Sequence, residues 1–262
     1  MCSDQSSIQQ RMNIDYNQAF IAAFQKKINI LIIDDDPQIG EMLVNDMFLS
    51  PLLNLEYVDT FKAATEQISE RKKKWHCWII DINLKEQQDG SNLLDRYPDF
   101  DYAVIFSGAS TLETASNALK KGAISAFSKD PAFLYSSDAF YNEVCKISAL
   151  SFVLRGAHNE HKNIFEPLLS NSIRSVEVWA REVNVSQRQL QRICELYVPF
   201  APRMLLPLYH SLYYMIRKPS ITEGFDSPTA EDICIRNSND FYLDCLESVV
   251  KKIDTVYKDL NI

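Results

Sequence analysis

Apolar runs that stop at carboxylates set the pattern of the first half of the chain. Cys77-Trp78-Ile79-Ile80 ends at Asp81, and Ile28-Asn29-Ile30-Leu31-Ile32-Ile33 ends at Asp34-Asp35-Asp36-Pro37. Short runs of this kind, bounded by polar segments, predict strands buried on both faces of a parallel sheet. With Ile28 to Ile33 first and His76 to Ile80 third, Leu55 to Val58, Ala103 to Phe106 and Ile124 to Phe127 complete five predicted strands. Helical spacing falls between them: Pro37 to Phe48, Thr60 to Arg71, a short helix near Leu93-Leu94, Thr111 to Lys121 closed by Gly122, and Asp138 to Leu154. Strands alternating with helices predict an α/β fold, a five-stranded doubly wound parallel sheet.

The alternation matters because of where it delivers side chains. Ligands of open α/β sheets bind beyond the carboxyl ends of the strands. Asp34, Asp35 and Asp81 are therefore expected to meet in one crevice. Carboxylates crowded together raise one another's pKa unless a cation joins them, and oxygen ligands with room for water suit Mg²⁺. Read singly, Asp34 to Asp36 would be favourable carboxylates at a helix N-terminus, and Lys129 a solvated loop lysine.

The second half is helical. Arg155 to Ser175 reads as a linker and a lead-in helix around Ile164-Phe165 and Leu168-Leu169. Val176, Trp179-Ala180 and Val183 make one helix face, Asn184-Val185 a tight turn, and Ser186 the N-cap of a second helix packed through Leu190 and Ile193. This is a helix-turn-helix whose second helix would expose Gln187, Arg188, Gln189, Gln191 and Arg192. Gln and Arg are the side chains that read adenine and guanine edges in the major groove; the plainer alternative is a helical bundle with a polar outer face. Pro202 to Ile216 predicts a further helix that Pro207 would break or kink. Thr229 to Ile253 is helical in period but acidic, an arrangement that repels phosphates. At the other end, Tyr16, Phe20, Ile21 and Phe24 predict an amphipathic helix packed on the first domain or on a second copy of the chain.

Charge sharpens the division. The net charge is −8 over 262 residues, which argues against a generally basic nucleic-acid binder. Its distribution is uneven: residues 1–154 hold 14 Lys/Arg against 21 Asp/Glu, residues 155–218 hold 9 against 5, and residues 219–262 hold 4 against 9. The middle segment alone is basic. The six cysteines, Cys2, Cys77, Cys145, Cys194, Cys234 and Cys245, have no paired spacing and predict reduced thiols rather than disulfides or zinc. His158 and His161, with only Glu160 near, make a poor metal site. No apolar stretch has the length of a membrane span, and Met1 to Lys27 lacks the layout of a secretion signal, so a cytoplasmic protein without membrane contact is expected.

Two segments carry a resemblance. Ile28 to Leu154 resembles the receiver domain of two-component response regulators, a flavodoxin-like fold: the acidic pair Asp34-Asp35 after strand one, Asp81 after strand three with Asp89-Gly90 closing its loop, Ser107-Gly108 after strand four, and Lys129 after strand five. The resemblance implies a phosphorylated Asp81 and Mg²⁺ held by Asp35, Asp81 and the backbone carbonyl of Asn83, with Asp34 acting through water. It also implies Lys129 and Ser107 on the phosphoryl oxygens, a sensor histidine kinase as donor, and no turnover of external substrates. The chain departs from the pattern in a longer Asp81 loop carrying Lys85, in Asp130 before Pro131, and in Ala126 where many receivers have an aromatic. Ser175 to Leu196 resembles the first helix-turn-helix of AraC-type transcription factors through Ser186, Leu190 and Arg192. That implies DNA contacts from Gln187, Arg188, Gln191 and Arg192 and a transcriptional regulator, for which a homodimer is expected. The expected organisation is an extension (1–27), a receiver (28–154), a linker with lead-in helix (155–174) and an all-α DNA-binding domain with a degenerate second motif (175–262). The alternative is a phosphorylation-controlled module whose helical domain docks on protein.

Overall fold

A computed structural model describes residues 27–70, 74–85, 88–100, 102–108, 112–130, 138–154, 162–170, 172–198 and 200–217. The expected N-terminal helix, His158 and His161, Pro131 and the acidic segment Thr229 to Ile253 lie outside them. Five strands, β1 (Ile28–Ile33), β2 (Leu53–Val58), β3 (Cys77–Ile80), β4 (Ala103–Ser107) and β5 (Ser125–Ser128), form one parallel sheet in the order β2-β1-β3-β4-β5. The helices are α1 (Pro37–Met42), α2 (Phe61–Ser69), α3 (Asn92–Arg96), α4 (Leu112–Lys120) and α5 (Asp138–Leu154). The strand order reverses direction between β1 and β3, the switch point where such sheets bind ligands.

Local chemistry explains the boundaries. Asp36 caps α1 by accepting from the Gln38 amide, and Pro37 takes the first-turn position that needs no donor. Beyond Met42 the helix does not continue regularly to Phe48; it widens into a π-helical turn over Leu43–Met47, closed by the Phe48 amide on the Leu43 carbonyl at 3.0 Å. The wider turn lets Leu43 and Phe48, five apart, both bury in the same core. β2 starts two residues earlier than its apolar pattern suggests because Leu53 pairs with Ile28. Thr60 caps α2. After α4 the chain reverses at Gly122, whose φ of +110° would strain any residue with a Cβ.

Strand residues alternate between two cores. Ile30, Ile32, Cys77, Ile79, Val104 and Phe106 face α1 and α5, while Leu31, Ile33, Trp78, Ile80, Ala103 and Ile105 face α2, α3 and α4. On the second face Phe100 stacks on Trp78 at 3.7 Å between centroids.

α5 is buried on nearly every side from Val144 to Leu154, the pattern of a helix covered by protein all round. One side lies on the sheet and the other is covered by helices that follow it. The helices that follow are α6 (Lys162–Phe165) with a 3₁₀ turn over Glu166–Leu169, α7 (Val176–Glu182), α8 (Gln187–Tyr197) and α9 (Pro202–Arg217); the 3₁₀ turn and α9 lie on α5, and α7 and α8 pack on α9. A single apolar cluster runs from β1 through Phe140, Val144 and Phe152 of α5 to Trp179, Leu190, Leu205 and Ile216. Trp179 donates its indole N–H to the Ile164 carbonyl at 2.7 Å, joining α7 to α6.

The helix-turn-helix forms over its expected residues. Ser175 caps α7, Asn184 takes the left-handed turn position at φ +55°, and Ser186 with Gln189 makes a reciprocal capping box on α8. Leu190 and Cys194 are buried, with Ile193 half-buried beside them. The expected break at Pro207 is corrected: α9 continues through it. The bond that Pro207 removes would have ended on the carbonyl of Arg203, an exposed residue in the first turn of α9. Cys77, Cys145 and Cys194 are free and buried. No helix among the described residues is long and apolar enough to cross a membrane.

His210 of α9 sits with Nε2 3.3 Å from the Ile173 carbonyl, so its neutral ring donates there. Burial, opposed by that bond and aided by the nearby Arg174, lowers its pKa to about 4. The unfolded chain therefore binds a proton that the folded chain refuses between pH 6.5 and 4. Stability is full above that window and falls as pH drops through it. In urea unfolding from pH 7 to 4.5, His210→Gln is expected to lose roughly 2 kcal/mol of the wild-type pH dependence; identical slopes would refute the assignment.

Candidate functional site

Strand register builds the site. Ile33 pairs with Ile80, so Asp34 and Asp81 are the next residues of adjacent strands; the Asp81 amide donates to the Ile33 carbonyl and the Asp34 amide to that of Val58. Ser107 pairs with Ser128 one strand further on, and the Lys129 amide bonds the Ser107 carbonyl at 3.1 Å. From there the Lys129 side chain reaches back across the sheet edge. Its Nζ lies 2.6 Å from Asp34 Oδ2 and 2.5 Å from Asp81 Oδ2. Asp130, which separates Lys129 from the following proline, does not turn the ammonium away.

The other oxygens of both carboxylates also have donors. Asp34 Oδ1 accepts from the Asp36 amide at 3.0 Å and Asp81 Oδ1 from the Asn83 amide at 3.1 Å. Asp34 and Asp81 are buried at 1% and 5% exposure, so the single ammonium is their counter-charge. Burial raises the Asp34 pKa to about 6 although the Lys129 hydrogen bond opposes it. Burial also pulls on Lys129 in the neutral direction, but its bonds to Asp34 and Asp81 outweigh this and its pKa is raised.

The carboxylate oxygens of Asp34, Asp35 and Asp81 lie within 4.8 Å of one another. An all-oxygen set with half-buried Asp35 open to solvent fits a hard, partly hydrated cation such as Mg²⁺. Asn83 follows at once, its side chain exposed, in a two-stranded ribbon of Asn83–Leu84 against Gln88–Asp89 that folds the lengthened loop tightly. Gly90 closes the ribbon, its amide on the Ile82 carbonyl at 2.7 Å, and a Cβ there would overlap the carbonyl oxygen of Asp81. Ser107 is fully buried and its hydroxyl has no hydrogen-bond partner. A buried hydroxyl without a partner calls for an explanation, and an acceptor entering the site would supply one.

Two residues at the site escaped the sequence reading. Asp36, read from the sequence only as a favourable carboxylate at a helix N-terminus, is the side-chain N-cap of α1. Tyr57, paired with Ile32 at the end of β2, packs its ring where a Cβ on Gly40 of α1 would be; its hydroxyl is buried without a partner, and burial followed by the charge of Asp34 pushes its pKa up to about 12. The only sequence signal was an aromatic ending an apolar strand.

The second candidate set lies on α8. Gln187, Arg188, Gln191 and Arg192 are all exposed, and Gln191 donates to Glu195 one turn later at 2.8 Å. The fold joins Asp34, Asp35, Asp81 and Lys129 at one sheet edge; the four α8 residues share a separate helical surface.

No protein-family profile matches the sequence, and no curated protein does. Among solved structures the chain is similar to the signal receiver domain of a putative Luxo repressor protein from Vibrio parahaemolyticus, at 20% identity over 47% of this chain and 91% of that one, TM-score 0.38. It is also similar to the receiver domain of NtrX from Brucella abortus, at 27% identity over 38% and 85%, TM-score 0.34. A third is a response regulator from Burkholderia pseudomallei solved with a phosphorylated aspartic acid, calcium ion and citrate, at 21% identity over 63% and 96%, TM-score 0.37.

Replacing Lys129 by Met leaves two buried carboxylates facing each other. The Lys129→Met protein is expected to lose about 3 kcal/mol at pH 7 and to recover part of it in millimolar Mg²⁺, read by urea unfolding with and without the ion. Absence of recovery would show that the carboxylates do not hold a cation.

Proposed function

We propose that the chain is a response regulator of a two-component system, phosphorylated on Asp81, with residues 28–154 as the receiver unit and 175–262 as a DNA-binding unit. The observation that carries the reading is the pairing of Asp81 and Asp34 on one ammonium at adjacent strand ends, beside a buried hydroxyl, Ser107, that lacks a partner. One carboxylate oxygen of Asp81 attacks phosphorus as the phosphorus–nitrogen bond of a phosphohistidine breaks, and the imidazole leaves with the electron pair. Asp35, Asp81 and the Asn83 carbonyl would hold Mg²⁺ directly, and Asp34 through water. When bound, the ion neutralises charge on the transferring oxygens. Lys129, already at Asp81, shifts to a phosphoryl oxygen, and the Ser107 hydroxyl donates to another. The protein accepts the group and does not turn over an external substrate.

The α8 surface supports DNA as the output, with Gln187 and Arg188 free for base edges and Arg192 for a phosphate or structural contact. Gln191, engaged with Glu195, is the least available of the four. The acidic 219–262 segment favours a second reading, in which the helical unit docks on a basic protein surface. In the first reading the full chain binds DNA with a salt-dependent affinity, and Arg188→Ala weakens it by about 1–3 kcal/mol. A flat salt dependence would favour the second.

Asp81 is tested by intact mass after incubation with acetyl phosphate. A gain of one phosphoryl group that requires Mg²⁺ and is lost in Asp81→Asn is expected. A wild-type protein that stays unmodified would refute the receiver chemistry.

A further inference from the structure

Ala126 places no ring on its face of β5, yet a continuous line of rings leads from the site to the helical half on the other face of the sheet. Lys129 Nζ lies 5.9 Å from the ring centroid of Phe106 on β4, within range of a cation–π attraction. Phe106 stacks on Phe140 of α5 at 4.3 Å and 18°, and Phe127 of β5 meets Phe140 edge-on at 5.5 Å. Phe48 touches Phe140 edge-on at 6.2 Å and Tyr141 at 5.3 Å.

The line ends on backbone. The Tyr141 hydroxyl has one proton to donate and two carbonyls in reach, those of Ile216 at 2.9 Å and Arg217 at 3.1 Å, the last residues of α9. Ser50, two residues beyond Phe48, donates its hydroxyl to the Met215 carbonyl at 3.3 Å. The last carbonyls of a helix have no partner within it, so side chains from the sheet-bearing half anchor the end of α9. Each of two short segments, Phe48 to Ser50 and Phe140-Tyr141, puts a ring on the line and a hydroxyl on α9.

We propose that Phe106, Phe140, Phe48 and Tyr141 couple the charge state of Asp81 to the anchoring of α9, so that phosphorylation re-seats the last turn of that helix. The inference rests on the receiver reading above. When Lys129 turns to a phosphoryl oxygen it leaves the face of Phe106, while the neighbouring Ser107 is drawn toward the same group. A close-packed core passes a ring displacement to its neighbours rather than absorbing it. The Tyr141 bonds are directional, so a shift of α5's first turn breaks them. Residues 218–262 follow directly from Arg217, so their point of departure moves too. The exposed α8 surface is not covered by this anchoring; the device changes how the helical unit is held, not whether its recognition helix is uncovered.

The test is hydrogen exchange of the α9 peptide amides in the full chain, in Mg²⁺ alone and in Mg²⁺ with acetyl phosphate, with intact mass reporting phosphoryl uptake in each sample. Exchange of the last turn is expected to speed up at least threefold on phosphorylation of the wild type. Tyr141→Phe should take up the phosphoryl group equally, exchange fast from the start and show no further response. Ser50→Ala should exchange faster at rest yet keep the response, because its hydroxyl anchors α9 without the phenol. Uptake without a change in wild-type exchange overturns the coupling alone, as does a normal response in Tyr141→Phe or its loss in Ser50→Ala. No uptake by the wild type overturns the receiver reading and the coupling with it.

Discussion

Two carboxylates buried at the ends of neighbouring strands need a counter-charge, and Lys129 is the one that the structure brings to both. Charges taken out of water are tolerated only when paired and hydrogen-bonded, and here every carboxylate oxygen of the pair has a donor. That requirement organises the edge of the sheet. It needs β4 between β3 and β5 so that the lysine crosses from the right distance. It needs Gly90 to let the Asp81 loop close on its own backbone, and Asp36 to leave the cluster and cap α1. The result is a compact store of negative charge held, among the described residues, by the Lys129 ammonium.

The same economy governs α5. Its sheet-facing side completes the core of the α/β half, and its other side is the wall on which α9 lies. Each large apolar side chain buried there contributes on the order of 1.5–3 kcal/mol relative to exposure, so the two halves stabilise each other through one helix. A free tether between independent units would have left that side of α5 polar. The ring line from Phe106 to Tyr141 also runs through α5, linking the site's edge of the sheet to the end of α9.

The surface proposed as the output is local. The basic excess of residues 155–218 is set between two acidic segments, and on α8 the glutamate one turn after Gln191 already holds that amide. Attraction to phosphates would act over about a Debye length, roughly 8 Å at physiological salt, which favours a contact confined to α8 over a broad cationic face.

The sequence by itself determined the alternation of strands and helices, the cap at Ser186, the reversal at Gly122 and the carboxylates at the ends of β1 and β3. These are local properties: periodicity, capping chemistry and backbone freedom are written in neighbouring residues. Where Lys129 points was decided only by the tertiary structure, because its reach depends on the order and register of β3, β4 and β5. The second face of α5 was equally hidden, since a helix apolar all round carries no mark of which side meets the sheet and which meets α9. Tyr57 over Gly40, the intact helix through Pro207 and the hydroxyls of Tyr141 and Ser50 on the end of α9 belong to the same class. Apart from Pro207, each is a contact supplied by a residue far away in sequence, and only packing says which distant residue arrives.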